Sequence, residues 1–125
     1  MQNKMVLVVE DNPLNMKLIR SMLQLGDFDM IEAPDAESGI ELAKKIKPDL
    51  ILMDIQLPGM DGLSATQLIK NDPSLNKVPI VAITSYAMHG DEQKAKSAGC
   101  SGYIAKPIDT RSFLDTINEY MISAS

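Results

Sequence analysis

Apolar residues in this chain fall into two alternating kinds of segment: short unbroken runs, and longer stretches with helical spacing. Met5–Val9 (MVLVV), residues 50–53 (LILM) and residues 78–83 (VPIVAI) are the unbroken runs. Between them, apolar positions recur every three or four residues, as they do when one face of a helix meets a core. Leu14, Leu18, Met22 and Leu25 make the first such stripe, backed by Ile19 and Leu23. Ala36, Ile40, Ala43 and Ile46 make the second, and a short helix over 63–70 is expected to turn Leu68 and Ile69 inward. A fourth helix, over 88–98, has only Met88, Ala95 and Ala98 on its apolar side. A fifth, reaching Met121, presents Phe113, Leu114, Ile117 and Tyr120. Two weaker strands complete the set: the mixed run 28–33 (FDMIEA) and the very short 103–105.

The residues at the segment ends agree with this reading. Asn12-Pro13 is a good N-cap and first-turn pair, and Asp35 and Asp109 are candidate N-caps for the second and last helices. Lys47-Pro48 closes the second helix, because proline disfavours helical geometry in the residue before it. Gly26 and Gly99 read as C-caps, with Gly26 expected at positive φ.

Five strand–helix pairs predict a parallel sheet with helices on both faces. Strands buried on both faces are apolar at every position. The first, third and fourth strands meet that test, whereas the mixed second and short fifth suit edges. The expectation is an α/β, flavodoxin-like (βα)5 doubly wound sheet in the order 2-1-3-4-5, filling residues 1–125 as one domain.

The net charge of −5 argues against a direct nucleic-acid partner, which requires a basic face. The one cysteine, Cys100, allows no intrachain disulfide and fits a reducing compartment. With no apolar stretch near the ~20 residues that span a bilayer, the expectation is a cytoplasmic protein without a membrane partner.

Ligands of such sheets bind beyond the carboxyl ends of the strands. Glu10 and Asp11 follow the first apolar run, Asp54 the third, Thr84 the fourth, and Lys106 with Pro107 the fifth. Three carboxylates, a hydroxyl and an ammonium are thus expected on one rim, with Asp11 and Asp54 on neighbouring strands. Carboxylates so close repel one another unless a cation lies among them. An oxygen-only set suits Mg²⁺, and the lack of His or Cys at this rim disfavours Zn²⁺. Beside such an ion a carboxylate can act as nucleophile toward phosphorus. Lys106 would balance the remaining charge, and the Thr84 hydroxyl would donate to a phosphoryl oxygen.

The stretches VLVVEDNPLNMKLI, PDLILMDIQLPGMDGL, VPIVAITSYAMHGDEQKAKSAGC and YIAKPI resemble a response-regulator receiver domain over nearly the whole chain. In detail they are similar to stand-alone cell-division receivers and to receiver domains of hybrid histidine kinases. The resemblance implies Asp54 as phosphoacceptor, with Asp11 and Asp54 as direct Mg²⁺ ligands, Glu10 acting through water and the Gln56 carbonyl completing the set. It also implies Thr84 as switch hydroxyl, Tyr103 as switch aromatic, Lys106 as the phosphate-sensing lysine and a cis Lys106–Pro107 bond. The function it implies is that of a phosphorelay switch rather than an enzyme acting on other substrates. Such a switch is charged by a histidine kinase or histidine phosphotransfer protein. It is read by a downstream protein at the face made of the fourth helix, fifth strand and fifth helix. Gln56 and Tyr86 imply slow self-dephosphorylation, since neither is an acid or base suited to activating water. The alternative within the same resemblance is a receiver cut from a hybrid kinase that relays the phosphoryl group onward.

Other readings of the same residues fit less well. An aspartyl phosphatase needs a proton donor two residues after its nucleophile, where this chain has Gln56. A flavodoxin-type cofactor binder needs an amide-rich Ser/Thr/Gly loop after the first strand, where this chain has EDNPLN. A receiver that never takes phosphate would not need the complete acidic set. Cys100 and the nine methionines read as packing residues, and His89 as a solvated helix residue.

Overall fold

The computed structural model describes residues 4–57, 59–84, 91–105 and 108–124. Its centre is a five-stranded parallel sheet of β1 (Met5–Val9), β2 (Asp29–Ala33), β3 (Leu50–Asp54), β4 (Ile80–Thr84) and β5 (Gly102–Ala105). The order is β2-β1-β3-β4-β5, as the burial pattern of the runs predicts. All of β3 and β4 and all of β1 after Met5 are buried, while β2 and β5 stay partly open at the edges. β3 and β4 run one residue past their apolar runs, taking in Asp54 and Thr84.

The helices are α1 (Pro13–Leu25), α2 (Ala36–Ile46), α3 (Gly62–Lys70), α4 (Asp91–Ala98) and α5 (Phe113–Ala124). Side chains of a strand alternate between faces, so the sheet divides the interior in two. Leu7, Val9, Ile51, Met53, Ile80 and Ala82 pack with Ala36 and Ala43 of α2, Ala65 and Ile69 of α3, and Ala95 of α4. Val6, Val8, Leu50, Leu52, Val81 and Ile83 pack on the other side with Met16, Ile19, Met22 and Leu23 of α1 and Phe113 and Ile117 of α5.

Four leucines assigned inward by spacing face outward. Leu14 and Leu25 are 78% and 81% exposed, Leu18 is exposed beside them, and Leu68 is half exposed. α1 carries apolar residues on two sides. The entry fixed by Asn12, whose Oδ1 accepts from Leu14 N at 2.9 Å and Asn15 N at 3.3 Å, leaves Met16, Ile19, Met22 and Leu23 against the sheet. On that same orientation Arg20 reaches Glu32 of β2, with Nη2 donating to Oε1 at 2.7 Å. α3 buries Ile69, as expected, but Gly62, Ala65 and Thr66 in place of Leu68, three small residues that let it lie close to the sheet.

Gly26 does cap α1, but at φ −92°, so the left-handed residue is Asp27, at φ 60°. A Cβ at 26 would come within 2.6 Å of Leu114 Cδ2, so that side-chain end would have to move aside. Gly99, at φ 111°, ends α4 with the paired bonds of a Schellman motif: Gly99 N to Lys96 O at 3.0 Å and Cys100 N to Ala95 O at 2.9 Å. Asp35 caps α2 as expected, its Oδ1 accepting from Ser38 N at 2.8 Å. Asp109 instead caps a turn ahead of α5, accepting from Arg111 N at 2.9 Å, and the helix starts four residues later at Phe113. Met88 and His89, like Tyr86, lie outside the described residues.

Candidate functional site: an acidic cleft at the carboxyl ends of the strands

The parallel register places the site. Val9 of β1 aligns with Met53 of β3, so Glu10 and Asp11 leave β1 beside Asp54, the last residue of β3. Glu10 N–H still bonds to β2 at Ala33 O, 3.0 Å away, which carries the strand direction one residue beyond β1. One carboxylate oxygen from each of Glu10, Asp11 and Asp54 lies within 4.8 Å of the other two. Glu10 and Asp54 form the floor at 2% and 1% exposure, and Asp11 stands exposed at the rim. Glu10 Oε2 accepts from Asn12 N at 3.3 Å, tying the floor to the cap of α1.

The turn after β3 is shaped around Asp54. Gln56 N–H donates to Asp54 Oδ1 at 2.9 Å, and Ile55 N–H bonds across to Ile83 O of β4 at 3.1 Å. The chain then folds back through Gly59, whose φ of 74° suits glycine. Asp61 starts α3 by accepting from Ser64 N at 2.8 Å. Gly62 N–H reaches Ile55 O at 3.4 Å, and a Cβ at Gly62 would lie 2.2 Å from the Asp54 carbonyl oxygen. Glycine at 62 therefore lets α3 begin directly behind the cleft. The Asp-Gly dipeptide marks a helix start in the sequence but says nothing of this approach.

Thr84 ends β4 in the register partner position of Ala105 and is buried. Ala82 pairs with Tyr103, so Thr84, two residues on, points to the same side of the sheet as Tyr103. Tyr103 is half-buried against the cluster under α2, α3 and α4. Lys106 and Pro107 follow Ala105 directly in sequence and lie outside the described residues, as does the expected cis bond between them.

Five expected positions, Glu10, Asp11, Asp54, Gln56 and Thr84, thus gather at one end of three adjacent strands, with Tyr103 one strand over. An all-oxygen trio of carboxylates is chemistry for a hard divalent cation such as Mg²⁺.

A doubly wound sheet with such a trio where the strand order reverses is the architecture of a receiver domain. The family described as response regulator receiver domain matches residues 6–118, and the chain belongs to that family, which serves two-component signalling. It is 43% identical over 118 residues to the polar-differentiation response regulator DivK of Brucella anthropi, covering 94% of this chain and 96% of that one. Among solved structures it is similar to the receiver domain of a sensor histidine kinase from Pseudomonas aeruginosa PAO1, which has a magnesium ion in its active-site cleft. That match has a TM-score of 0.89 and 33% identity over 95% of this chain and 98% of that one. It is also similar to the receiver domain of a Saccharomyces cerevisiae response regulator co-crystallised with its histidine phosphotransfer protein. There the TM-score is 0.88, with 28% identity over 97% and 90% of the two chains. Among the described residues no helix is long and apolar enough to cross a membrane.

Proposed function

We propose that this chain is a phosphorylation switch, one receiver unit over residues 1–125 that takes a phosphoryl group from a histidine on Asp54 and works in the cytoplasm. The observation that carries the reading is the approach of Glu10, Asp11 and Asp54 to within 4.8 Å in one cleft. Asp11, Asp54 and the Gln56 carbonyl would hold Mg²⁺ directly and Glu10 through water. Bound there, the ion supplies charge neutralisation for an incoming phosphoryl group. An Asp54 oxygen attacks phosphorus in line with the donor nitrogen, the P–O bond forms as the P–N bond breaks, and the imidazole departs with the electron pair. The Gln56 N–H keeps the carboxylate turned toward the cleft. Thr84 and Lys106 then bind phosphoryl oxygens.

Moving a switch from about 1:99 to 99:1 takes roughly 5.5 kcal/mol of differential stabilisation. Hydrogen bonds to charged groups contribute on the order of 1.5–3 kcal/mol each, so Thr84, Lys106 and one backbone amide suffice. Thr84 drawn toward the phosphoryl group leaves space on its side of the sheet for Tyr103 to turn inward. The face of α4, β5 and α5 then changes its affinity for a downstream protein.

The phosphodonor has to bring a histidine over the cleft, and the first turn of α1 forms one bank of it. There Leu14 is exposed next to Asp11, with Leu18 and Leu25 continuing the stripe. This apolar strip suits a helix of a histidine kinase or histidine phosphotransfer protein. The likeness to a kinase-borne receiver supports a second reading, in which the domain passes its phosphoryl group onward as an intermediate carrier.

The test is mass spectrometry after incubation with Mg²⁺ and acetyl phosphate, with Asp54→Asn as control. The expected result is one phosphoryl group on the wild-type chain and none on the variant; an unmodified wild-type chain overturns the reading. Back-transfer to a histidine phosphotransfer protein separates carrier from terminal switch.

A further inference from the structure

Behind Asp54, on the side away from the cleft, runs a set of contacts that the phosphoryl chemistry does not use. Gly62 sets α3 so close to β3 that an added Cβ would meet the Asp54 carbonyl oxygen at 2.2 Å and Ile55 Cα at 2.7 Å. One turn on, the wholly buried Thr66 donates its hydroxyl proton to the Gly62 carbonyl at 2.8 Å. The Thr66 hydroxyl oxygen in turn accepts from the Cys100 thiol, with sulfur 3.9 Å away. Cys100 stands where α4 stops and β5 begins: its own N–H closes α4 on Ala95 O, and the next N–H, Ser101, bonds to Ile80 O at the foot of β4 at 2.8 Å. A single hydroxyl therefore touches both the turn of α3 lodged against Asp54 and the turn leading into β5. A threonine bonded back to the carbonyl four residues earlier bends its helix, and a buried hydroxyl is costly to strip of its partners.

We propose that Thr66 is a positioning residue that couples Asp54 to the α4–β5 turn. It fixes the first turn of α3 against the Asp54 backbone and, through Cys100, makes that position depend on how α4 ends. The proposal rests on Asp54 being the phosphoacceptor. Coupling between two sites is reciprocal, so occupation of Asp54 is felt at Cys100. Cys100 is the chain's one cysteine. Burial raises its thiol pKa, so the thiol reacts slowly until the turn opens and serves as a built-in reporter.

The experiment measures iodoacetamide alkylation of Cys100 in the full chain, with and without beryllofluoride plus Mg²⁺ as a stand-in for the phosphoryl group. The Gln56 amide signal reports local occupation of Asp54. Occupation should slow alkylation by about fivefold or more in the wild-type chain and in Thr66→Ser, and by less than about twofold in Thr66→Val, with Gln56 responding in all three. Equal slowing in Thr66→Val overturns the coupling and leaves the phosphoacceptor reading standing. So does unchanged or faster alkylation of the wild-type chain while Gln56 shifts. A Gln56 amide that does not respond in the wild-type chain overturns both. If Thr66→Val does not fold, Cys100→Ala cuts the link from the other end. Beryllofluoride-induced amide shifts at 99–101 must then fall below roughly half their wild-type size, and shifts of full size overturn the proposal.

Discussion

The backbone amide of Gln56 donates to Asp54 Oδ1 at 2.9 Å, so the loop that follows Asp54 also orients its carboxylate. Proline at position 56 has no N–H to give. Hydrogen bonds to charged groups contribute on the order of 1.5–3 kcal/mol, so Gln56→Pro should weaken Mg²⁺ binding by about tenfold or more. Gln56→Ala, which keeps the amide, should lose less. Calorimetric titration with Mg²⁺ checks both.

Three ionised carboxylates within 4.8 Å of one another repel. In Mg²⁺-free buffer Asp54→Asn should therefore be more stable than wild type by about 1–4 kcal/mol, the range of one like-charge contact at about 4 Å between bulk water and a protein surface. Binding that favours the folded state adds about 2.7 kcal/mol at a ligand concentration of 100 Kd. Wild type should gain that much on adding Mg²⁺, and Asp54→Asn clearly less. Urea denaturation with and without the ion gives all four values.

Gly62→Ala has no room for its methyl group, because the nearest atoms are the backbone of Asp54 and Ile55 rather than a mobile side-chain end. Forced overpacking costs about 1–3 kcal/mol, and the strand tip carrying Asp54 has to shift to accept it. The unfolding free energy from urea denaturation should fall by that amount. Phosphorylation by acetyl phosphate should slow by about tenfold or more, as a small misplacement of a reacting group does.

Arg20 and Glu32 form an exposed pair between α1 and β2, and the hydrogen bond from Arg20 holds the Glu32 carboxyl below its usual range. A depressed carboxylate pKa contributes stability above the unfolded-state value near 4.5, and that stability is lost as pH falls through the lower folded-state value. Arg20→Ala should therefore lower the urea midpoint at pH 7 slightly and leave it unchanged at pH 2. High salt should shrink the difference, since the pair is solvated.

Leu14→Ser on the exposed stripe of α1 should change folding stability by no more than about 0.5 kcal/mol. Phosphotransfer from a histidine donor protein, taken relative to the rate with acetyl phosphate, should fall about tenfold, as for an apolar anchor at an interface. Stopped-flow phosphotransfer with both donors measures the ratio.

The strand order was readable because burial leaves a compositional mark: LILM and MVLVV have no polar face to turn to water, and FDMIEA does. The cleft was readable because Glu10, Asp11, Asp54 and Thr84 each follow an apolar run directly, and a parallel sheet brings all such positions to one end. The orientation of α1 was not readable. Leu14, Leu18 and Leu25 keep helical spacing as well as Met16, Ile19 and Leu23 do, and only the fixed entry at Asn12 and the reach of Arg20 to Glu32 decide between them. Leu68 misled for a related reason, since α3 approaches the sheet through Gly62, Ala65 and Thr66, whose small size carries no hydropathy signal. The Thr66–Cys100 contact joins residues 34 apart in sequence, and no local pattern announces it.

Among the described residues, the two apolar layers on opposite sides of the sheet share no side chain. A lineage can thus alter the packing under α4 while the layer shared by α1 and α5 stays as it was. A continuous wall of backbone stands between the two kinds of change, so each side of the sheet can drift at its own pace.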